Sequence, residues 1–216
     1  MADWVTISAL ASAGGTLVLA GVTVASVRSA NRAARVAEQS LLAAQRPLLV
    51  HSRTDDLPQK IGFHDDVWLY APGGQGGAVA TDDAVYLGIA VRNIGTGIAV
   101  LHGWHLYPTI QLGSDLRPTA LDDLTQLTRD LYIAPGDVGF WQGALRDPSS
   151  PAYVEARAAI ETPQRMSIDV LYGDFEGGQR AITRFLLTPR DGEDGLRWIA
   201  SVGRHWNVDR PQPRER

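Results

Sequence analysis

The sequence predicts a mainly β protein in which an antiparallel β-sandwich follows a long N-terminal α-helix. Two patterns point to this fold class. The chain begins with a long uncharged segment, and after Pro47 it carries seven or eight short stretches that alternate apolar and polar residues. Gly, Pro, Asn and Asp separate these stretches, and no helical βαβ pattern lies between them. The length of 216 residues allows one domain plus an extension.

Residues 1–28 are predicted to form a transmembrane helix. Residues 5–27 contain no charged side chain and no Pro, Asn or Gln. A helix of that length spans ~34 Å, enough for a hydrocarbon core of ~30 Å. Trp4 lies at one flank, and Arg28, Arg32 and Arg35 lie at the other. A cleaved signal peptide and a buried core helix are the alternatives. The lack of a basic residue before the segment and its length favour an anchor in the lipid bilayer.

The distribution of charge predicts the orientation of this helix. Arginines follow the span and none precedes it, so the positive-inside rule places the N-terminus outside and the remaining chain in the cytoplasm of a single-pass protein at the cell membrane. Small residues four positions apart, such as Gly21 and Ala25, suit close helix packing. Self-association through this helix is therefore one interpretation, and a chain that is simply rich in alanine is the other.

Residues 29–46 are rich in strong helix formers and are predicted to continue the membrane helix as a stalk that ends before Pro47. Residues 47–209 form the predicted β-sandwich domain. We expect two short helices in it, one over residues 119–127 with Thr119 and Asp122 as a capping box, and one over residues 151–162. Residues 73–77 are expected to be a flexible loop, and residues 210–216 a disordered tail.

Two segments of the domain carry a family resemblance. Residues 93–99 have the form Asn-x-Gly-x-Gly-x-Ala between two predicted strands, and residues 169–178 read as a strand followed by a Gly-rich turn. With the leading apolar helix, this pattern resembles single-span bacterial membrane proteins that carry one immunoglobulin-like domain. The likeness extends from residue 5 to about residue 187. It implies an immunoglobulin-like β-sandwich on a membrane anchor, and it brings no activity and no functional residue.

Composition excludes several classes of function. The chain has no cysteine, which removes thiol nucleophiles, disulfides and cysteine-ligated metals. Its net charge of −4 does not support a nucleic-acid-binding protein. No serine-hydrolase elbow, phosphate-binding loop or zinc-protease motif is present in the sequence, and we expect no cofactor, no metal and no catalytic residue.

The remaining candidates are surface side chains. Trp141, His205 and Trp206 are predicted to be exposed and to form an interaction surface, with core packing as the alternative. We therefore expect a membrane-anchored, non-catalytic binding or scaffolding protein whose domain recognises a protein partner. One alternative is a membrane-tethered hydrolase or metal-dependent enzyme that uses the loop residues His64, Asp65 and Asp66. A second is an accessory subunit of a larger membrane complex.

Overall fold

The computed structural model describes residues 3–113, 116–193 and 195–210. The chain divides into two compact units, Met1–Ala44 and Gln45–Arg216. The predicted disordered tail lies outside the described residues apart from Arg210.

The first unit contains one helix, α1 (Trp4–Ala44), which is uninterrupted over the predicted membrane span and stalk. Within it, the segment Ser12–Leu41 is long and apolar enough to cross a bilayer, and its apolar window is not buried in the protein. The helix ends before Pro47, whose ring disfavours helical geometry at the preceding residue. The chain therefore carries one N-terminal helix suited to membrane anchoring.

The second unit is mainly β, as the sequence predicts. Its strands are β1 (Leu49–His51), β2 (Gln59–Gly62), β3 (Trp68–Ala71), β4 (Gln75–Ala80), β5 (Val85–Asn93), β6 (Ala99–Tyr107), β7 (Thr125–Ile133), β8 (Val138–Leu145), β9 (Met166–Gly173), β10 (Arg180–Gly192) and β11 (Gly195–Asn207). A 3-10 helix covers Leu121–Asp123, and helix α2 covers Pro151–Glu161. Ser150 caps α2 by accepting a hydrogen bond from the Tyr153 amide, and Pro151 occupies the first helical position. The predicted helix over residues 151–162 is confirmed.

Nine of these strands form one antiparallel sheet. β5 pairs with β8 along one edge and with β4 and then β1 along the other. From β4 the order continues through β11, β10, β9 and β6 to β7. Side chains from both halves of the sheet meet in one core, including Ile89 of β5, Ile168 of β9 and Trp198 of β11. A single sheet can close around one core only if it curls, so the domain is a curled antiparallel sheet. An immunoglobulin-like pair of packed sheets is not confirmed.

The central strand β5 is covered on both faces. Its alternation sends Val85, Leu87, Ile89 and Val91 into the main core. The opposite face, with Tyr86, packs beneath the β2–β3 hairpin in a second apolar cluster. Alternation of apolar and polar residues is typical of a strand with one buried face, but here the hairpin covers the other face as well.

Two local predictions are wrong. Of the helix expected over residues 119–127, the structure has only the 3-10 turn Leu121–Asp123, and Thr119 does not cap it: the Thr119 backbone amide and hydroxyl both donate to Asp169 Oδ2, at 3.0 and 2.7 Å. The chain then enters β7 at Thr125. The expected flexible loop at residues 73–77 contains the start of β4. A Cβ at Gly76 would lie 2.6 Å from the Gly88 carbonyl oxygen, so this glycine permits close strand packing.

Candidate binding cleft

A cleft of about 450 Å³ lies where the two ends of the curled sheet approach each other. Residues 125–129 of β7 form one side and the β8 segment around Gln142 forms the other. The β2–β3 hairpin contributes the remaining side through Lys60 and Trp68. β7 pairs with β6 and β8 pairs with β5, and neither strand pairs across the cleft within the described part of the chain. Across the cleft, the described residues of β7 and β8 are connected by side chains and not by backbone hydrogen bonds.

Three exposed basic side chains surround the cleft. The Lys60 ammonium lies 4.4 Å from the ring centroid of Trp68, an indole that is 58% exposed. Arg129 reaches from β7 to β8, where it donates to the Gln142 side-chain oxygen at 2.6 Å. Arg146 follows β8 and lies at the other end of the lining. The domain from residue 47 onward has 16 basic and 22 acidic side chains, so this cleft is positively charged within an acidic domain.

His64 and Asp65, which belong to the alternative interpretation as a hydrolase or metal-dependent enzyme, lie beside this cleft and contact Arg146. Asp65 Oδ2 accepts hydrogen bonds from the Tyr86 hydroxyl at 2.6 Å and from Arg146 Nε at 3.2 Å. Burial acts to raise the pKa of Asp65, but these two hydrogen bonds lower it below its ordinary value. His64 Nδ1 lies 3.1 Å from Arg146 Nη2. Since arginine only donates, Nδ1 accepts this bond.

This arrangement holds a carboxylate and an imidazole against a guanidinium. Asp66 occupies an exposed turn position with a φ of 59°, and among the described residues it shares no hydrogen bond or ion pair with these side chains. No group of three or more His, Asp or Glu side chains suited to a metal occurs among the described residues. The contacts position Arg146 at the cleft, which is the role that the geometry supports for His64 and Asp65.

The expected exposure of Trp141 and Trp206 is wrong. Trp141 is fully buried, and its ring packs edge to face on Trp104 at 5.4 Å between centroids. Trp206 is 3% exposed and packs in a small cluster with Leu171 and Ile182. Trp141 is buried because it faces the main core, whereas Trp206 lies within β11, which runs to Asn207, and packs beneath Leu116 and Leu124 on the outer face of the sheet.

His205 is half-buried beside Trp206. Its Nδ1 lies 2.7 Å from Thr183 Oγ1 on the neighbouring strand β10. Burial lowers the pKa of His205. The three residues predicted as an interaction surface therefore pack within the domain, and the exposed indole in the cleft is Trp68 instead.

The predicted membrane flanks lie on α1. Trp4 is 84% exposed. Arg28, Arg32 and Arg35 recur at helical spacing and line one shallow hollow of about 290 Å³ together with Asn31. These arginines form a basic stripe directly after the uncharged segment, as a membrane flank requires.

Comparison with known proteins gives no family. Neither a protein-family model nor a curated protein matches this sequence. A solved structure of a protein from Archaeoglobus fulgidus is similar at 14% identity, over 64% of this chain and 95% of that chain, with a TM-score of 0.25. A likeness at this level carries no argument about fold or function, so the functional conclusion rests on the chain itself.

Proposed function

We propose that this chain is a membrane-anchored, non-catalytic binding protein whose β domain recognises another protein through the cleft between β7, β8 and the β2–β3 hairpin. The observation that carries this proposal is the concentration of Lys60, Arg129 and Arg146 around an open cleft in a domain of opposite net charge. Exposed aromatic and arginine side chains at one site are typical of protein interfaces.

The contacts around the cleft favour binding over hydrolysis. A hydrolase would need a general base free to take a proton. Here Asp65 accepts from both Tyr86 and Arg146, and His64 accepts from Arg146. These groups hold Arg146 in place, which suits recognition of an anionic group.

In this proposal, the apolar helix α1 anchors the β domain to a membrane. The basic stripe of α1 supports an orientation with the N-terminus outside and the domain in the cytoplasm. The immunoglobulin-like assignment and self-association through α1 belong to this proposal, and an accessory subunit of a larger membrane complex is the alternative to it. The assignment and the self-association rest on the turn pattern and the small residues of the helix.

Site-specific photocrosslinking in intact cells tests the binding function. A photoreactive amino acid at Thr128, an exposed residue of the cleft, is expected to give a discrete protein adduct. The matched control places it at Val154, an exposed position on α2. The adduct should disappear when Lys60→Glu and Arg129→Glu are added. Equal adducts at both positions, or none at Thr128, would contradict the proposal.

Thiol labelling tests the orientation, because the chain has no native cysteine. Ala158→Cys places one thiol on the exposed face of α2. A membrane-impermeant maleimide is expected to label it only after cell lysis. Labelling in intact cells would place the domain outside and redirect the partner search to the envelope.

A further inference from the structure

We infer that the cleft accepts an extended acidic segment of a partner protein, which pairs as an additional strand with the free edge of β7. This inference rests on the proposed function and specifies the chemistry of the partner. It predicts two separate sources of affinity. One is backbone pairing with β7, and the other is ion pairing with the basic side chains around the cleft.

The lining of the cleft indicates a backbone edge. Successive side chains of a strand point to opposite faces, so a pocket on one face of a strand is lined by every second residue. Here five consecutive residues, 125–129, line the cleft. β7 pairs with β6 at Thr125 and Gln126 and again at residues 131–133, and the register shifts between these two stretches, so residues 127–130 lie outside the regular ladder. The backbone of this part of β7, and not only one face of its side chains, therefore borders the cleft.

A free edge of this kind is a template for another strand. Unpaired amide and carbonyl groups along an exposed edge favour pairing with an extended peptide. The β7 segment is also polar at the cleft, since Thr125, Gln126 and Thr128 are exposed there. Such a segment provides backbone hydrogen bonds without a large apolar surface, so specificity must come from the side chains that flank it.

Those flanking side chains select for negative charge. Lys60 has no ion pair among the residues that the structure describes, and its ammonium faces the Trp68 ring instead. Arg129 donates to the neutral amide of Gln142. A carboxylate is a stronger acceptor than an amide for both cations. An acidic side chain in the cleft would thus gain two charge-assisted contacts whose present partners are uncharged.

A single-stranded nucleic acid is the other polymer that a basic and aromatic groove can bind. The excess of acidic side chains in the domain opposes a polyanion that extends beyond the cleft, whereas a short acidic segment stays within it. The free β7 edge has no role in stacking bases. Both features favour the peptide.

Fluorescence anisotropy with the full-length protein in detergent tests the inference. The probe is a labelled eight-residue peptide that alternates glutamate and valine. Two matched peptides separate the two sources of affinity: one replaces glutamate with glutamine, and one carries N-methyl groups that block strand pairing. We expect saturable binding of the first peptide, and binding at least tenfold weaker for each of the others. Equal binding of the glutamine peptide would overturn the charge selection, and equal binding of the N-methylated peptide would overturn strand addition.

Variants locate the binding site. Lys60→Gln with Arg129→Gln should weaken binding at least tenfold, whereas Arg165→Gln, an exposed arginine outside the cleft, should leave it unchanged. Circular dichroism and the thermal midpoint establish that each variant is folded. Lys60 is the only lysine of the chain, so the bound peptide should also protect it from acetylation, as measured by mass spectrometry. Unprotected Lys60 at saturation would overturn the site.

Failure of the inference is distinguishable from failure of the proposed function. If no acidic peptide binds but the Thr128 crosslink persists, the acidic strand is wrong and protein recognition by the cleft stands. If an oligothymidylate of eight nucleotides binds and the peptide does not, the ligand is a nucleic acid. If peptide and crosslink both fail, both proposals are wrong.

Discussion

Gly97 lies directly against the backbone of Gln45, so that a Cβ at position 97 would stand 2.7 Å from the Gln45 carbonyl carbon and closer still to its oxygen. The turn around Gly97 packs against the segment that leads into the β domain. The Thr96 amide donates to the Arg46 carbonyl at 3.2 Å, and the Leu48 amide donates to the Asn93 side-chain oxygen at 3.1 Å. The Asn-x-Gly-x-Gly pattern therefore fixes the start of the domain to its central strand.

Gly97→Ala is expected to destabilise the protein by about 1–3 kcal/mol, because the added methyl group overlaps a backbone that is held by hydrogen bonds. Urea unfolding of the full-length protein in detergent, followed by tryptophan fluorescence, measures the change. Gly178→Ala is the matched control, since a Cβ there would meet only Asp174 at 3.8 Å. Equal stability of the two variants would contradict the role of Gly97.

The sequence predicts this turn correctly, but it does not predict that the turn packs against residues 45–48. The strands on either side are evident from alternation, and in the structure β5 ends at Asn93 and β6 begins at Ala99, one on each side of the turn. That residues 45–48 lie over the turn follows from tertiary packing, which has no local signature. The same limit explains the helix predicted over residues 119–127. Thr119 has the residue type of a cap, and it bonds instead to Asp169, fifty positions away.

Asp169 and Arg184 form a buried ion pair on adjacent strands, joined by two hydrogen bonds of 2.6 and 2.7 Å. Both side chains are at most 2% exposed. Asp169→Leu alone should cost about 3–5 kcal/mol, because it leaves the guanidinium buried and uncompensated. Adding Arg184→Met should recover part of this loss, since no buried charge then remains.

A double-mutant cycle measures this coupling. Urea unfolding of the two single variants and the double variant should show that the double variant is more stable than Asp169→Leu alone. Additive losses would mean that the two charges do not depend on each other, which contradicts the pairing.

The buried indole of Trp141 supports a further prediction. Its N–H has no hydrogen-bond partner among the described residues, and the ring is fully buried. Trp141→Phe removes this unpaired donor and keeps an aromatic ring against Trp104. Trp141→Ala removes the packing as well and should cost about 3–5 kcal/mol. We expect the Phe variant to lose less than half as much stability as the Ala variant, measured as the shift in urea midpoint. Similar losses would mean that the stability depends on the part of the indole ring that phenylalanine does not replace.

The cleft could be predicted only in part. The distinctive residues are visible in the sequence, since Lys60 is the sole lysine and Trp68 follows it closely. Their meeting with Arg129 depends on the sheet curling until β7 approaches β8, which strand patterns do not reveal. Alternation predicts that either Phe140 or Trp141 faces outward, and in the structure Trp141 faces the main core while Phe140 packs under the hairpin. Trp206 is expected to follow the last strand, but it lies within β11 and a loop covers it.

Stability should fall on mild acidification. Burial lowers the pKa of His102, with a further contribution from Arg180, and burial also lowers the pKa of His205. A histidine with a lower pKa in the folded chain binds its proton more readily when the chain unfolds. The stabilising contribution is complete above the ordinary value of 6.5 and is lost as the pH falls below it toward the folded pKa. The free energy of unfolding should therefore be lower at about pH 5.5 than at about pH 7.5.

The pH dependence of urea unfolding tests this assignment. A double variant, His102→Gln with His205→Gln, should show a smaller loss between the two pH values, whatever its absolute stability. Ser149→Ala removes no titratable group and should keep the wild-type dependence. The carboxylates with lowered pKa values, such as Asp56 and Asp65, titrate from 3.8 downward and do not contribute in this window. An unchanged dependence in the double variant would show that the loss of stability on acidification comes from other groups.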